Sequence, residues 1–137
     1  MCAFKNSARP FIRPLCSWST LRGTRNKHVP LDVHPEVEEA LANRRAVVAL
    51  ETALVTHGLP YSSNLEVPLA LEGIVRSTGS IPATIGIIDG RIKIGLQKDE
   101  LARLAERRRK PTKVSRRDIA AAIATRSDGG VLIYLLV

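Results

Sequence analysis

Two places in this 137-residue chain carry side chains able to do chemistry. The first is Glu51, which follows the small-apolar run AVVAL (46–50) and precedes TALVTHGLPYSSN. A carboxyl group at the C-terminal end of a buried strand sits where α/β folds put reactive groups, beside a loop that can close over a ligand. Withdrawal from water there favours the protonated form that a general acid needs. The same spacing serves an N-cap or a structural ion pair equally well. His57-Gly58 with Pro60 reads as a tight exposed turn, which makes His57 either an accessory group or an ordinary structural histidine. The second place is Lys113-Val-Ser115-Arg116-Arg117-Asp118. Lys113 is expected on a strand and Ser115 at the N-cap of a helix, with Arg116, Arg117 and Asp118 in its first turn. Backbone N–H groups of a helix start plus two or three cations make a phosphate pocket. The alternative is a solvated basic face continuous with Arg107, Arg108, Arg109 and Lys110. No Walker loop, dinucleotide fingerprint, metal-spaced Cys/His set or Gly-x-Ser-x-Gly elbow occurs.

These residues need elements to hold them. Pro35 opens the stretch PEVEEALANRR, with acids in its first turn and Val37, Ala40 and Leu41 on one helical face. AVVAL has the length and composition of a strand buried on both faces. Asn64 is expected to cap a helix over 64–79 whose face carries Leu65, Leu69, Glu72 and Val75, with Pro68 in its first turn and Gly79 at its end. ATIGIID and RIKIGL flank Asp89-Gly90, a strong hairpin signal. Residues 99–110 read as an amphipathic helix, 113–115 as a short strand, 116–125 as a further helix and 129–137 as an apolar strand. Helices alternating with strands around one hairpin imply an α/β fold, a mixed sheet flanked by helices.

Composition limits the function classes. Hydrophobic residues are 45% and charged residues 25%, as in a globular chain of one domain. Aromatics at 4% argue against a base-stacking platform, and two cysteines cannot build a disulfide scaffold. No run approaches the roughly 18 apolar residues that span a bilayer, so no membrane partner is expected. The formal charge of +8 is unevenly spread. Residues 1–30 hold Lys5, Arg9, Arg13, Arg22, Arg25 and Lys27 and none of the 13 acids, whereas residues 31–137 are nearly neutral. A Ser- and Arg-rich, acid-free segment has the composition of a mitochondrial transit peptide. Pro10 and Pro14 interrupt the helix such a peptide forms, and a basic tail on a cytoplasmic protein is the alternative. With most of the charge in this leader, nucleic acid is not an expected partner. The chain ends on VLIYLLV, an apolar strand needing neighbours on both faces and edges, which leads us to expect a truncated domain.

Three motifs then occur in order: VALETALVTHGLPYSSN, GSIPATIGIIDGRIKIGL and TKVSRRDIAAAIA. Over about ninety residues, from Pro35 to Ala124, the chain resembles the N-terminal part of pseudouridine-5′-phosphate glycosidases. The resemblance implies a fold of which 31–137 is only a part, and reversible cleavage of the C–C glycosidic bond of pseudouridine 5′-phosphate to uracil and ribose 5-phosphate. It also implies a manganese ion (Mn2+), a homotrimer and, in some forms, fusion to a sugar kinase. Glu51 matches the family's proton donor and Lys113 its substrate-binding lysine. Ile133 falls where the family's GGTTVA-type segment places an apolar contact residue, although GGVLIYLLV stands here after Gly130. Thr52-Ala53 replaces the usual Ser-Thr. The Schiff-base lysine and the metal-binding aspartate fall beyond residue 137, so the expectation is a chain inactive alone. The alternative is a non-catalytic fragment that binds nucleotide or associates with full-length subunits.

Overall fold

The computed structural model describes residues 30–60, 62–106 and 110–132. In chain order they form β1 (Leu31–Val33), α1 (Pro35–Ala42), β2 (Val47–Leu50), a π-helical turn (Leu54–Gly58), α2 (Ser63–Ser77), β3 (Ile81–Ile88), β4 (Arg91–Ile94), α3 (Lys98–Ala105), β5 (Thr112–Val114), α4 (Ile119–Ala124) and β6 (Gly129–Val131). Residues 1–29 of the expected leader, Arg107, Arg108 and Arg109, and the apolar end with Ile133 lie outside the described residues.

The sheet grows around β3, whose sequence IPATIGII carries no charge and is buried throughout. Its first half, 81–84, pairs with β2 in parallel; its second half pairs antiparallel with β4 and, at 86–87, with β6. β1 and β5 extend the sheet as parallel neighbours of β4 and β6, giving the order β1-β4-β3-β6-β5 with β2 beside β3. The architecture is therefore the expected α/β mixed sheet flanked by helices. One face packs Ile88 and Leu96 against Val55, Leu101, Leu104 and Ala105, with Leu65 and Leu69 of α2 at the margin. The helices α1 and α4 line two further clusters, around Ile81 and Ala83 and around Ile87, Val114 and Val131.

Local chemistry explains most element boundaries. Pro35 stands in the first turn of α1, and the His34 ring nitrogen accepts from the Glu36 N–H. Asp89 (φ 49°) and Gly90 (φ 72°) both adopt the left-handed conformation of a type I′ turn. A Gln97–Glu100 capping box opens α3. Gly79 (φ 79°) closes α2.

Four expectations need correction. Asn64 does not cap α2: the cap position lies two residues earlier, at Ser62, and Asn64 is drawn inside by the carbonyls it serves. Pro68 consequently falls in the second turn. β2 is not buried on both faces, since Val48 is 38% exposed and β3 is its sheet neighbour among the described residues. α3 stops at Ala105, before its basic extension. The last helix starts at Ile119 rather than Arg116, because Ser115 and Asp118 close a turn between them.

Candidate active site

β2 and β6 approach one another end to end along β3. β2 runs parallel to its first half and β6 antiparallel to its second, so their C-terminal ends meet at Ile85. The join is made by Thr52, whose N–H donates to the Val131 carbonyl (3.2 Å) and whose hydroxyl donates to the Ile85 carbonyl (2.6 Å). β5 lies parallel to β6 in the register Lys113↔Gly130 and Val114↔Val131. The C-terminal ends of β2, β5 and β6 thus converge, the place where open α/β sheets bind ligands.

Glu51 stands at this convergence, partly exposed and therefore less withdrawn from water than its strand-end position implied. Lys113 is exposed on β5, and its register partner Gly130 faces residues 52–56, since a Cβ there would lie 2.7 Å from the Thr52 carbonyl oxygen. Among the described residues neither the Glu51 nor the Lys113 side chain has a hydrogen-bond or ion-pair partner. His57 is exposed on the π-helical turn, and its Nδ1 lies 2.8 Å from the Thr56 hydroxyl. That turn packs against both β5 and β6, which puts His57 on an element next to the lysine strand.

Arg116 and Arg117 are exposed in the turn before α4. The expected phosphate cradle there is filled from within: the Asp118 carboxylate accepts from both the N–H (2.9 Å) and the hydroxyl of Ser115. The Ser115 hydroxyl, its N–H and the nearby Arg117 charge hold the Asp118 carboxyl below its ordinary range, so an internal anion occupies the position an external one would take. A cavity of about 290 Å³ beside β5 is lined by Lys113, Asp118, Thr125 and Ser127 but not by Glu51. The described residues bring the strands of the acid and the lysine together near the middle of β3 without enclosing the two side chains in one cavity. No group of three or more His, Cys, Asp or Glu able to hold a metal ion occurs among the described residues.

Two participants were not read from the sequence in these roles. Thr52, fully buried, was noted only as a departure beside the acid, and Asn64, 1% exposed, only as a cap. Asn64 instead donates to the carbonyls of Val55 (3.1 Å) and Ala105 (2.9 Å), tying the π-helical turn to α3.

Known proteins share this arrangement of elements. Residues 36–134 match the family model described as indigoidine synthase A like protein. Pseudouridine-5′-phosphate glycosidases of Hahella chejuensis (48% identical over 103 residues) and Arabidopsis thaliana (48% over 101) align with 75% and 74% of this chain. The alignments take in 34% and 31% of those relatives, so the chain spans about a third of their length. Among solved structures, the prealnumycin C-glycosynthase AlnA in complex with ribulose 5-phosphate superposes with a TM-score of 0.64 at 40% identity, over 75% of this chain and 32% of that one. An indigoidine synthase A-like protein of Thermotoga maritima gives 0.68 at 26% identity, over 82% and 36%. From its motifs, its sheet and these matches, the chain belongs to the indigoidine synthase A like family, together with the pseudouridine-5′-phosphate glycosidases it resembles.

Proposed function

We propose that this chain supplies the base-protonating part of a site that cleaves the C–C glycosidic bond of pseudouridine 5′-phosphate. The observation that supports the reading is the approach of the C-terminal ends of β2 and β5, the strands that precede Glu51 and carry Lys113, in a chain 48% identical over 103 residues to a pseudouridine-5′-phosphate glycosidase. When the bond between sugar C1 and the ring carbon breaks, its electron pair stays on the base. Glu51 donates the proton that turns this ring into uracil and recovers one from water. Lys113 provides fixed positive charge for the phosphate or the opened sugar. His57, Arg116 and Arg117 are accessory in this reading, and Ile133 keeps the apolar contact that the resemblance gives it. Manganese would be held by residues outside this chain, and no step is assigned to it. The homotrimer, the kinase fusion and the mitochondrial address rest on the resemblance and on the composition of residues 1–30. No helix of the described residues is long and apolar enough to cross a membrane.

By the same reading the 137-residue chain binds without turning over, because the covalent amine implied by the resemblance lies outside it. The purified chain should release no uracil from pseudouridine 5′-phosphate above the uncatalysed rate. Calorimetric titration with that compound should show saturable binding, weakened about tenfold by Lys113→Gln, the loss expected of one charge-assisted hydrogen bond. Turnover at the rate of a full-length relative, or binding indifferent to Lys113→Gln, overturns the proposal.

A further inference from the structure

Thr52 is fully buried and uses every polar atom it has. Its N–H donates to the Val131 carbonyl (3.2 Å), while its carbonyl accepts from the N–H groups of Val55 (3.1 Å) and Thr56 (3.2 Å). Its hydroxyl donates to the Ile85 carbonyl (2.6 Å) and accepts from the Val131 N–H (3.1 Å). One residue therefore joins the end of β2, the middle of β3, the end of β6 and the start of the π-helical turn. Gly130 on the facing strand makes room for it, since a Cβ there would lie 2.7 Å from the Thr52 carbonyl oxygen.

Glu51 is the next residue back along the chain and has no side-chain partner among the described residues, so the backbone at Thr52 sets its place. Lys113 precedes Val114, which pairs with Val131, the residue Thr52 grips twice. We propose that Thr52 is a positioning residue: its hydroxyl clamps β2 to β6 and thereby fixes the spacing between Glu51 and Lys113. The hydroxyl is spent on this clamp and is not a substrate contact. The inference rests on the reading of Glu51 as proton donor and Lys113 as substrate-binding group.

Valine keeps the shape of threonine but leaves the Ile85 carbonyl and the Val131 N–H buried without these bonds, whereas serine can make both. Two signals in the 137-residue chain test the clamp: amide exchange at Val131 and the 13C carboxyl resonance of Glu51, identified by its loss in Glu51→Gln. Thr52→Val should speed Val131 exchange about tenfold and move the Glu51 resonance, and Thr52→Ser should restore both. Asp32→Asn, which loosens β1 at the far edge of the sheet from β6, should leave the Glu51 resonance in place. A folded Thr52→Val chain with an unmoved Glu51 resonance overturns the proposal. So does a Thr52→Ser chain whose resonance is displaced, and that arm decides if the valine variant does not fold. Binding of pseudouridine 5′-phosphate separates the two readings. If the unaltered chain does not bind it, the functional assignment falls while the Glu51 signal still decides the clamp; if Thr52→Val binds as tightly as the unaltered chain, the claim about spacing falls.

Discussion

Asn64 shows what one buried amide does in a small sheet protein. Both hydrogens of its side-chain nitrogen are spent, one on the Val55 carbonyl and one on the Ala105 carbonyl, so α2 holds the π-helical turn and α3 together. Leucine keeps the branching of the side chain, at larger volume, and has none of these donors. Asn64→Leu should therefore cost roughly 2–4 kcal/mol, the penalty for two buried carbonyls left unpaired, measured by denaturant unfolding. Arg103, on α3, is a comparable hub. It bonds Asp89 in the hairpin turn (3.0 and 2.5 Å) and Asp128 before β6 (2.8 Å), and these carboxylates push its own pKa further up. The Asp128 side chain is only 8% exposed, so Arg103→Met leaves a shielded carboxylate short of its partner. The expected loss is about 2 kcal/mol in the same measurement. Glu51 and Lys113 stand out in the sequence as candidates because a strand end and a three-motif order point at them. Thr52 and Asn64 do not, since their partners are remote along the chain: the Thr52 hydroxyl meets an N–H 79 residues away and Asn64 a carbonyl 41 residues away. No local pattern encodes such a distance.

Elements were legible in proportion to how local their causes are. The hairpin followed from Asp89-Gly90 alone, and α1 from Pro35 with Glu36 and Glu38 behind it. The start of the last helix was misplaced because the Ser115–Asp118 turn makes the same bonds a helix cap makes. β1 went unread, since three residues are too few to show alternation. It exists through its neighbour: Leu31, Asp32 and Val33 register with Ile92, Lys93 and Ile94, and Asp32 pairs with Arg91 (2.7 Å) and Lys93 (3.4 Å). The bond from Arg91, opposed in part by burial and aided by Lys93, lowers the Asp32 carboxyl from 3.8 to about 2. A carboxyl with a depressed folded-state pKa contributes stability above its unfolded value and loses it as pH falls through the folded one. The attachment of β1 should accordingly weaken between about pH 4 and about pH 2, and Asp32→Asn should abolish that part of the decline. Glu36 beside Arg76 and Asp118 beside Ser115 are lowered too, so the comparison must be the difference between the two melting-temperature profiles, not the unaltered profile alone.

At the scale of the whole molecule the governing quantity is uncovered apolar surface. The described residues form a sheet with helices on both faces, yet Val67 (38% exposed), Leu71 (40%) and Ile74 (61%) make an open row along α2, at the three- and four-residue spacing of one helical face. Val48 on β2 and Leu54 on the π-helical turn are also open. The chain corresponds to about a third of its relatives' length, so the family fold has other segments with which surfaces of this kind can pack. The net charge gives only partial protection, because six of the 21 basic residues lie in residues 1–30, where there are no acids, and the rest of the chain is almost balanced. Exposed apolar rows on a nearly neutral body promote association. Light scattering of the purified chain should therefore rise with concentration, and the rise should persist in high salt, where charge attraction is screened and apolar contact is not. Leu71→Lys combined with Ile74→Lys should lower that scattering. These two side chains contribute little to the core, so the change in unfolding free energy should stay within about 0.5 kcal/mol, as for surface substitutions elsewhere. Scattering that is unchanged by the double substitution, or that disappears in salt, would assign the association to charge instead of to the α2 row.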